Sequence, residues 1–247
     1  MKTVQFLSNS IQVKNIIKGL TLSKSLFVSI LIVGEPHTGK KSLVRTLYRE
    51  QNFIDGGDFE KVNRALESSK EVIIYNFDKI ESVDSLNFEN KRVVAISNRV
   101  HNSSVIDRKF AFIYNMPPLR DRLEDVELLS REFIKEIREE LMLDSSYPIS
   151  ISPNSLDLSM NIKSLRADIY KRLILNNISR KDIENILYDY LYENLGGNNA
   201  YRENLPIFER PLIEAGLKRY RSQLRLSSIL GLNRNTLRKK INELGIN

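Results

Sequence analysis

The chain has 247 residues, 41% of them hydrophobic and 28% charged, with a formal net charge of +7. That composition describes a globular chain with room for one ordinary domain and a small appendage, and it excludes collagen-like and low-complexity classes. The absence of cysteine excludes disulfides and thiolate metal sites, and two histidines, His37 and His101, cannot build a zinc site by themselves.

Taken in order, Ser10 to Leu20 predicts an amphipathic helix with Ile11, Ile16, Ile17 and Leu20 apolar. Phe27 to Val33 is an apolar, partly β-branched run ending at Gly34, and it predicts a buried parallel strand. A loop and a helix from Lys40 to about Glu50 follow. Glu71 to Tyr75, Arg92 to Ser97 and Phe110 to Tyr114 predict three further strands, and Asp125 to Leu141 a long amphipathic helix. Strands alternating with helices imply an α/β fold with a parallel sheet and helices on both faces. Asp144 to Ser159, rich in Ser, Pro and Asn, reads as a loop or junction. Everything after Ile162 reads mainly helical, interrupted at Leu195 to Ala200 by Gly196, Gly197, Asn198 and Asn199. The longest apolar stretch, Leu26 to Val33, is too short to span a bilayer, and Met1 to Ile30 has no signal-peptide pattern, so no membrane association and a cytoplasmic location are expected.

The last 24 residues carry the sharpest signal. An amphipathic run from Leu224 to Leu230 is broken by Gly231, and a second run begins after the N-cap residue Asn233. Leu237, Ile241 and Leu244 form one apolar stripe. Arg234, Asn235, Thr236, Arg238, Lys239 and Lys240 occupy the other faces. The pattern is a helix-turn-helix whose second helix offers a basic, hydrogen-bonding N-terminal end, the part that enters a major groove in such motifs. A basic run is also what a merely solvated helix face looks like. From Glu209 to Asn247 nine basic residues stand against three acids, so six of the seven excess positive charges sit there. Double-stranded DNA is the expected partner. "GLNRNTLRKKINELGIN" (Gly231 to Asn247) closely resembles the recognition helix of the Fis family. The resemblance runs back through "ERPLIEAGLKRYRSQLRLSSIL" and weakly to about Asp182 in "DIENILYDYLYENL".

Gly34-Glu-Pro-His-Thr-Gly39-Lys40-Lys41 follows a strand and opens a helix, the context of a phosphate-binding loop whose N–H groups cradle phosphate while Lys40 reaches the outer phosphates. The Ser/Thr usual after the lysine is Lys41, and an incidental strand–turn–helix corner is the alternative. "IVGEPHTGKKSLVRTLY" resembles the "GExGTGKE" segment of NtrC-like enhancer-binding proteins, the AAA+ activators of sigma-54 polymerase; in that family an acid, not a lysine, usually follows the loop lysine. "RVVAISNRV" is similar to their sensor I strand with Asn98 near the sensor position, "MPPLRDRLEDVELLSREFI" to their "LPPLRER..DI" segment, and "NIKSLRADIYKRLIL" to the sensor II helix with Lys163 where arginine is usual.

The resemblance implies an AAA+ core over 1–143, a helical lid over 144–180 and a Fis-type DNA-binding domain over 181–247 that acts as a homodimer. It implies ATP or ADP as ligand at Gly34, Thr38, Gly39, Lys40, Lys41, Asn98 and Lys163. The departures are specific. The family's second strand ends in an Asp-Glu pair that holds Mg²⁺ and activates water, whereas "EVIIYNFDKI" ends on Tyr75 to Phe77, or keeps one acid if slid to Asp78. About 35 residues separate Lys40 from that strand end, without the family's inserted "GAFTGA" loop. Of two arginines that act in trans, only Arg108 is matched; Asn102 occupies the other position. No receiver domain precedes the core within the chain. No catalytic or metal-binding residue is therefore expected, and ATP hydrolysis should be negligible. The competing functions are a DNA-binding regulator on a degenerate AAA+ scaffold, an active ATPase with relocated acids (Asp78 and Glu81), and a partner subunit that modulates an intact ATPase.

Overall fold

The computed structural model describes residues 6–48, 53–99, 103–143 and 155–246. These fall into two units, residues 1–177 and 178–247.

The first unit is built on a five-stranded, all-parallel sheet of β1 (Ile30–Val33), β2 (Phe53–Asp55), β3 (Glu71–Tyr75), β4 (Arg92–Ser97) and β5 (Phe112–Asn115), in the order β2-β3-β4-β1-β5. The strand residues alternate between two cores, as period-two geometry requires. Ile30 and Ile32 pack with Val13, Ile16 and Leu20 of α1 (Ile11–Leu26) and with Leu43 and Val44 of α2 (Lys40–Leu47). Leu31 and Val33 pack on the opposite face with Val62 and Leu66 of α3 (Phe59–Ser68) and Ile106 of α4 (Ser103–Lys109). Both faces are covered, which is why β1 and β4 read as unbroken apolar runs.

The strands expected at Glu71–Tyr75 and Arg92–Ser97 are found with those bounds. The other two begin later. Phe27 is the left-handed cap of α1 (φ 52°), so β1 starts at Ile30. Phe110 is buried edge-on against Phe77, ring centres 5.3 Å apart, ahead of β5. α5 (Leu123–Glu140) and α6 (Ile162–Asn177) pack through Leu119, Val126, Ile137, Leu165, Ile169 and Leu173. Of the expected 144–159 junction, 144–154 lie outside the described residues.

The second unit contains α7 (Arg180–Asn194), α8 (Ala200–Tyr220), α9 (Gln223–Leu230) and α10 (Arg234–Glu243). Its core is Ile213, Leu226, Leu237, Ile241 and Leu244. Gly216 lets α8 and α9 touch: a Cβ there would lie 2.4 Å from a Leu226 methyl. The α9–α10 turn is set by Gly231 at φ 64°, and Asn233 accepts from the Asn235 N–H at 2.9 Å. No helix among the described residues is long and apolar enough to cross a membrane.

Candidate functional sites

The first site lies beyond the end of β1, where the chain turns into α2. Gly34 sits so close to the Met116 carbonyl that a Cβ would approach it to 2.6 Å. Gly39, at φ 97°, caps α2 in a conformation that favours glycine. His37 adopts φ 62°; its side chain is exposed, and its carbonyl accepts the Ile162 N–H at 3.2 Å. The loop thus presents α2's free N–H groups towards a cleft of about 650 Å³.

Lys40 is buried, and its amine donates to the Gly34 and Glu35 carbonyls at 2.6 and 2.7 Å and to Asn98 Oδ1 at 3.3 Å. Burial pulls its pKa down to about 8, against the opposing pull of Asp78 and Glu35. Thr38 lines the cleft too, and its buried hydroxyl donates to the Glu35 carbonyl at 3.0 Å. Lys41 is half-buried with its amine 3.3 Å from the centre of the Tyr75 ring, and burial lowers its pKa also. Lys163 and Asn98 are exposed and line the same cleft. The structure therefore brings the expected nucleotide-site residues to one loop and cleft.

The acids stand apart. Asp78 accepts from the Asn98 N–H at 2.9 Å and the Ser97 hydroxyl at 3.2 Å, and Glu81 is exposed. Neither lines the cleft, and among the described residues no Asp or Glu does. Among the described residues no cluster of three metal-ligating side chains occurs anywhere. A magnesium ion is anchored to protein by one or two carboxylates beside water and substrate phosphates. The described lining offers only neutral oxygens, such as the Thr38 and Ser42 hydroxyls, and the Lys41 ammonium beside Tyr75 repels a cation, so the residues present do not fit magnesium. Arg108 is exposed and paired with Asp84 at 3.2 Å; Asn102 lies outside the described residues.

Several supporting residues escape sequence reasoning because their partners are far away in the chain. Asn161, at φ 54°, donates to the Pro36 carbonyl and to Glu35, and accepts the Leu119 N–H at 2.7 Å. Arg120 pairs with Glu35, holding that carboxyl down to about 2. Arg122, 1% exposed, donates to the Thr38 carbonyl and to Asp125, tying the loop to α5.

The second site is α10. Arg234, Asn235, Thr236, Arg238 and Lys239 are exposed, while Leu237 and Ile241 are buried. Lys240 departs from the expected set. Its amine is turned to α8, 2.5 Å from Glu209 and only partly exposed, because an internal acid neutralises it there. Arg210 likewise donates to the Leu244 carbonyl and holds the end of α10.

Residues 204–244 match the family described as "Bacterial regulatory protein, Fis family". The NtrC transcriptional regulator of Rhizobium meliloti is 30% identical over 171 positions, covering 53% of this chain and 35% of NtrC. A Geobacillus stearothermophilus protein named limonene hydroxylase is 31% identical over 173 positions, covering 62% of this chain and 31% of that protein. The chain thus spans about a third of the curated relatives it matches. Crystal structures of Brucella abortus NtrX superpose on 98% of the chain with ATP (TM-score 0.53, 16% identity, 69% of NtrX) and 99% with ADP (TM-score 0.54, 14% identity, 70% of NtrX). At those identities the likeness concerns the fold.

Proposed function

We propose that this chain, NtrC-like in sequence and fold and carrying a Fis-family helix-turn-helix domain, is a DNA-binding transcription regulator on an AAA+ scaffold that does not turn over ATP. The observation that carries the DNA-binding half is α10: five polar or basic side chains stand exposed on a domain whose apolar core is already complete without them. Arg234 and Asn235, at the N-terminal end, suit base edges; Arg238 and Lys239 suit phosphates.

The absence of turnover is supported by the cleft, where the strand end at which the resemblance places metal-binding acids carries uncharged Tyr75 to Phe77, with the Lys41 amine over the Tyr75 ring. Asp78 is already engaged by the sensor-strand residues Ser97 and Asn98, which counts against its use as a relocated base. The span between Lys41 and Glu71 holds β2 and α3, leaving little room for a sigma-54-contacting loop. The NtrC alignment occupies more positions than this chain supplies residues, which supports the same conclusion.

The chain acts as a homodimer through α7. None of that helix's residues is buried, and Ile183, Ile186 and Tyr190 are 58%, 62% and 50% exposed. A two-fold dimer presents two copies of α10 to matching half-sites.

Selection of duplexes from a random pool by the full chain tests the first half, with enrichment of a two-fold symmetric sequence expected; an unchanged pool overturns it. Turnover of ATP on the order of one per second, the range of competent catalysts, overturns the second.

A further inference from the structure

The cleft beside the phosphate loop has a charge pattern that DNA binding leaves unused. Four lysines line it, Lys40, Lys41, Lys79 and Lys163, and no carboxylate does among the described residues. The two acids closest to this end of β3 are otherwise occupied. Asp55 accepts from Asn76 Nδ2 at 2.9 Å and from the Gly57 N–H at 3.1 Å, and Asp78 is bound to Ser97 and Asn98. The Lys41 amine is held at the mouth of α2 over the face of the Tyr75 ring in a cation–π contact, 3.3 Å from the ring centre.

Such a site is badly made for a divalent cation and well made for an anion that arrives without one. Magnesium bound to a polyphosphate cancels two of its negative charges and needs oxygen ligands to complete its octahedron. Here the protein supplies the cancelling charge itself, from side chains on three separate elements around the loop. We propose that this cleft binds a nucleoside di- or triphosphate as its magnesium-free anion, with Lys41, Lys79 and Lys163 taking the place of the metal. This rests on the loop being a phosphate cradle and goes further by fixing the form of the ligand.

Titration calorimetry of the full chain with ATP and with ADP, first in EDTA and then in excess magnesium, tests it. Binding is expected in EDTA, no weaker than with magnesium, and falling as salt rises. Lys41→Glu should lose on the order of tenfold or more in EDTA, the scale of a charge-assisted contact. Lys79→Gln combined with Lys163→Gln, two exposed positions, should show a loss in the same direction should Lys41→Glu fail to fold. Binding that appears only with magnesium overturns the proposal and leaves the cradle standing. Folded charge variants that bind the metal-free nucleotide as the parent does also overturn it. No binding in either buffer removes both the proposal and the cradle, without touching the DNA-binding role of the C-terminal unit.

Discussion

Replacement of Asp125 by alanine should be among the most damaging single changes in the first unit. The carboxylate is 0% exposed and accepts four hydrogen bonds: from the Ser8 hydroxyl at 2.7 Å, the Asn9 N–H at 2.6 Å, the Ser10 N–H at 3.1 Å and Arg122 Nη1 at 3.0 Å. A side chain of α5 thus caps the start of α1, 115 residues earlier in the chain. Alanine would strand a guanidinium that is 1% exposed and take the acceptor from the Asn9 N–H, while the Ser10 N–H keeps only its 3.2 Å bond to the Ser8 hydroxyl. Removing one partner of a buried pair costs about 3–5 kcal/mol. With a urea slope of about 1–3 kcal/mol per molar, the midpoint for this unit should fall by roughly 1 M or more. Arg122→Met with Asp125→Leu removes the stranded charge and should restore part of the loss, but not all, because the Asn9 N–H and the Ser8 hydroxyl still lose their acceptor. Urea unfolding followed by circular dichroism reads both. A loss below about 1 kcal/mol for Asp125→Ala would refute the argument that this carboxylate is the junction of loop, helix and N-terminal segment.

Arg238→Ala with Lys239→Ala should weaken binding to all duplexes and reduce the log–log salt slope by about 2, each phosphate contact contributing about 0.9; an unchanged slope in fluorescence anisotropy would remove these residues from the interface. Lys240→Ala should instead lower the melting temperature of the C-terminal unit while leaving the salt slope intact, since its amine is committed to Glu209; a slope change equal to that of Lys239 would refute this. Ile183→Lys with Ile186→Lys should give a monomer by light scattering with DNA affinity reduced, and a persisting dimer would locate the contact elsewhere. Lys40 has its pKa depressed to about 8 from 10.5, so the unfolded chain holds more protons between those values. Its contribution to stability therefore rises with pH through that window, while its charge for phosphate fades there. Nucleotide affinity should fall between pH 7 and pH 9.5, and a flat profile would mean that Lys40 does not touch the ligand.

The parts of the fold legible in the sequence were those with local causes. β3 and β4 are β-branched runs buried on both faces, so their bounds could be read directly. The turn before α10 announced itself through Gly231 and Asn233. β2 is not legible in the sequence because it is three half-buried residues long. α3 carries a local signal, an Asp58 cap and an apolar stripe of Val62 and Leu66, but at ten residues that stripe is too short to stand out in the sequence. The phosphate loop was legible from its glycines, but its supports were not. Asn161, Arg122 and Asp125 bond across 84 to 125 residues, and no local pattern encodes such partners. Lys240 shows the same limit in reverse: it reads as one more basic residue until Glu209, 31 positions away, turns it inward.

The nakedness of α7 has a consequence for how the protein counts itself. Its capping box, Ser179 with Asp182, satisfies the first turn, yet a helix of 15 residues is marginal in water on such local terms alone. In the proposed dimer another copy covers its apolar side; the segment's order and the pairing of copies would then be one equilibrium, and dilution should melt the helix as well as separate the pair. The fraction of chains able to engage both halves of a symmetric DNA site would then rise faster than the amount of chain. A modest change in synthesis would switch occupancy over a threshold, with abundance itself acting as the signal.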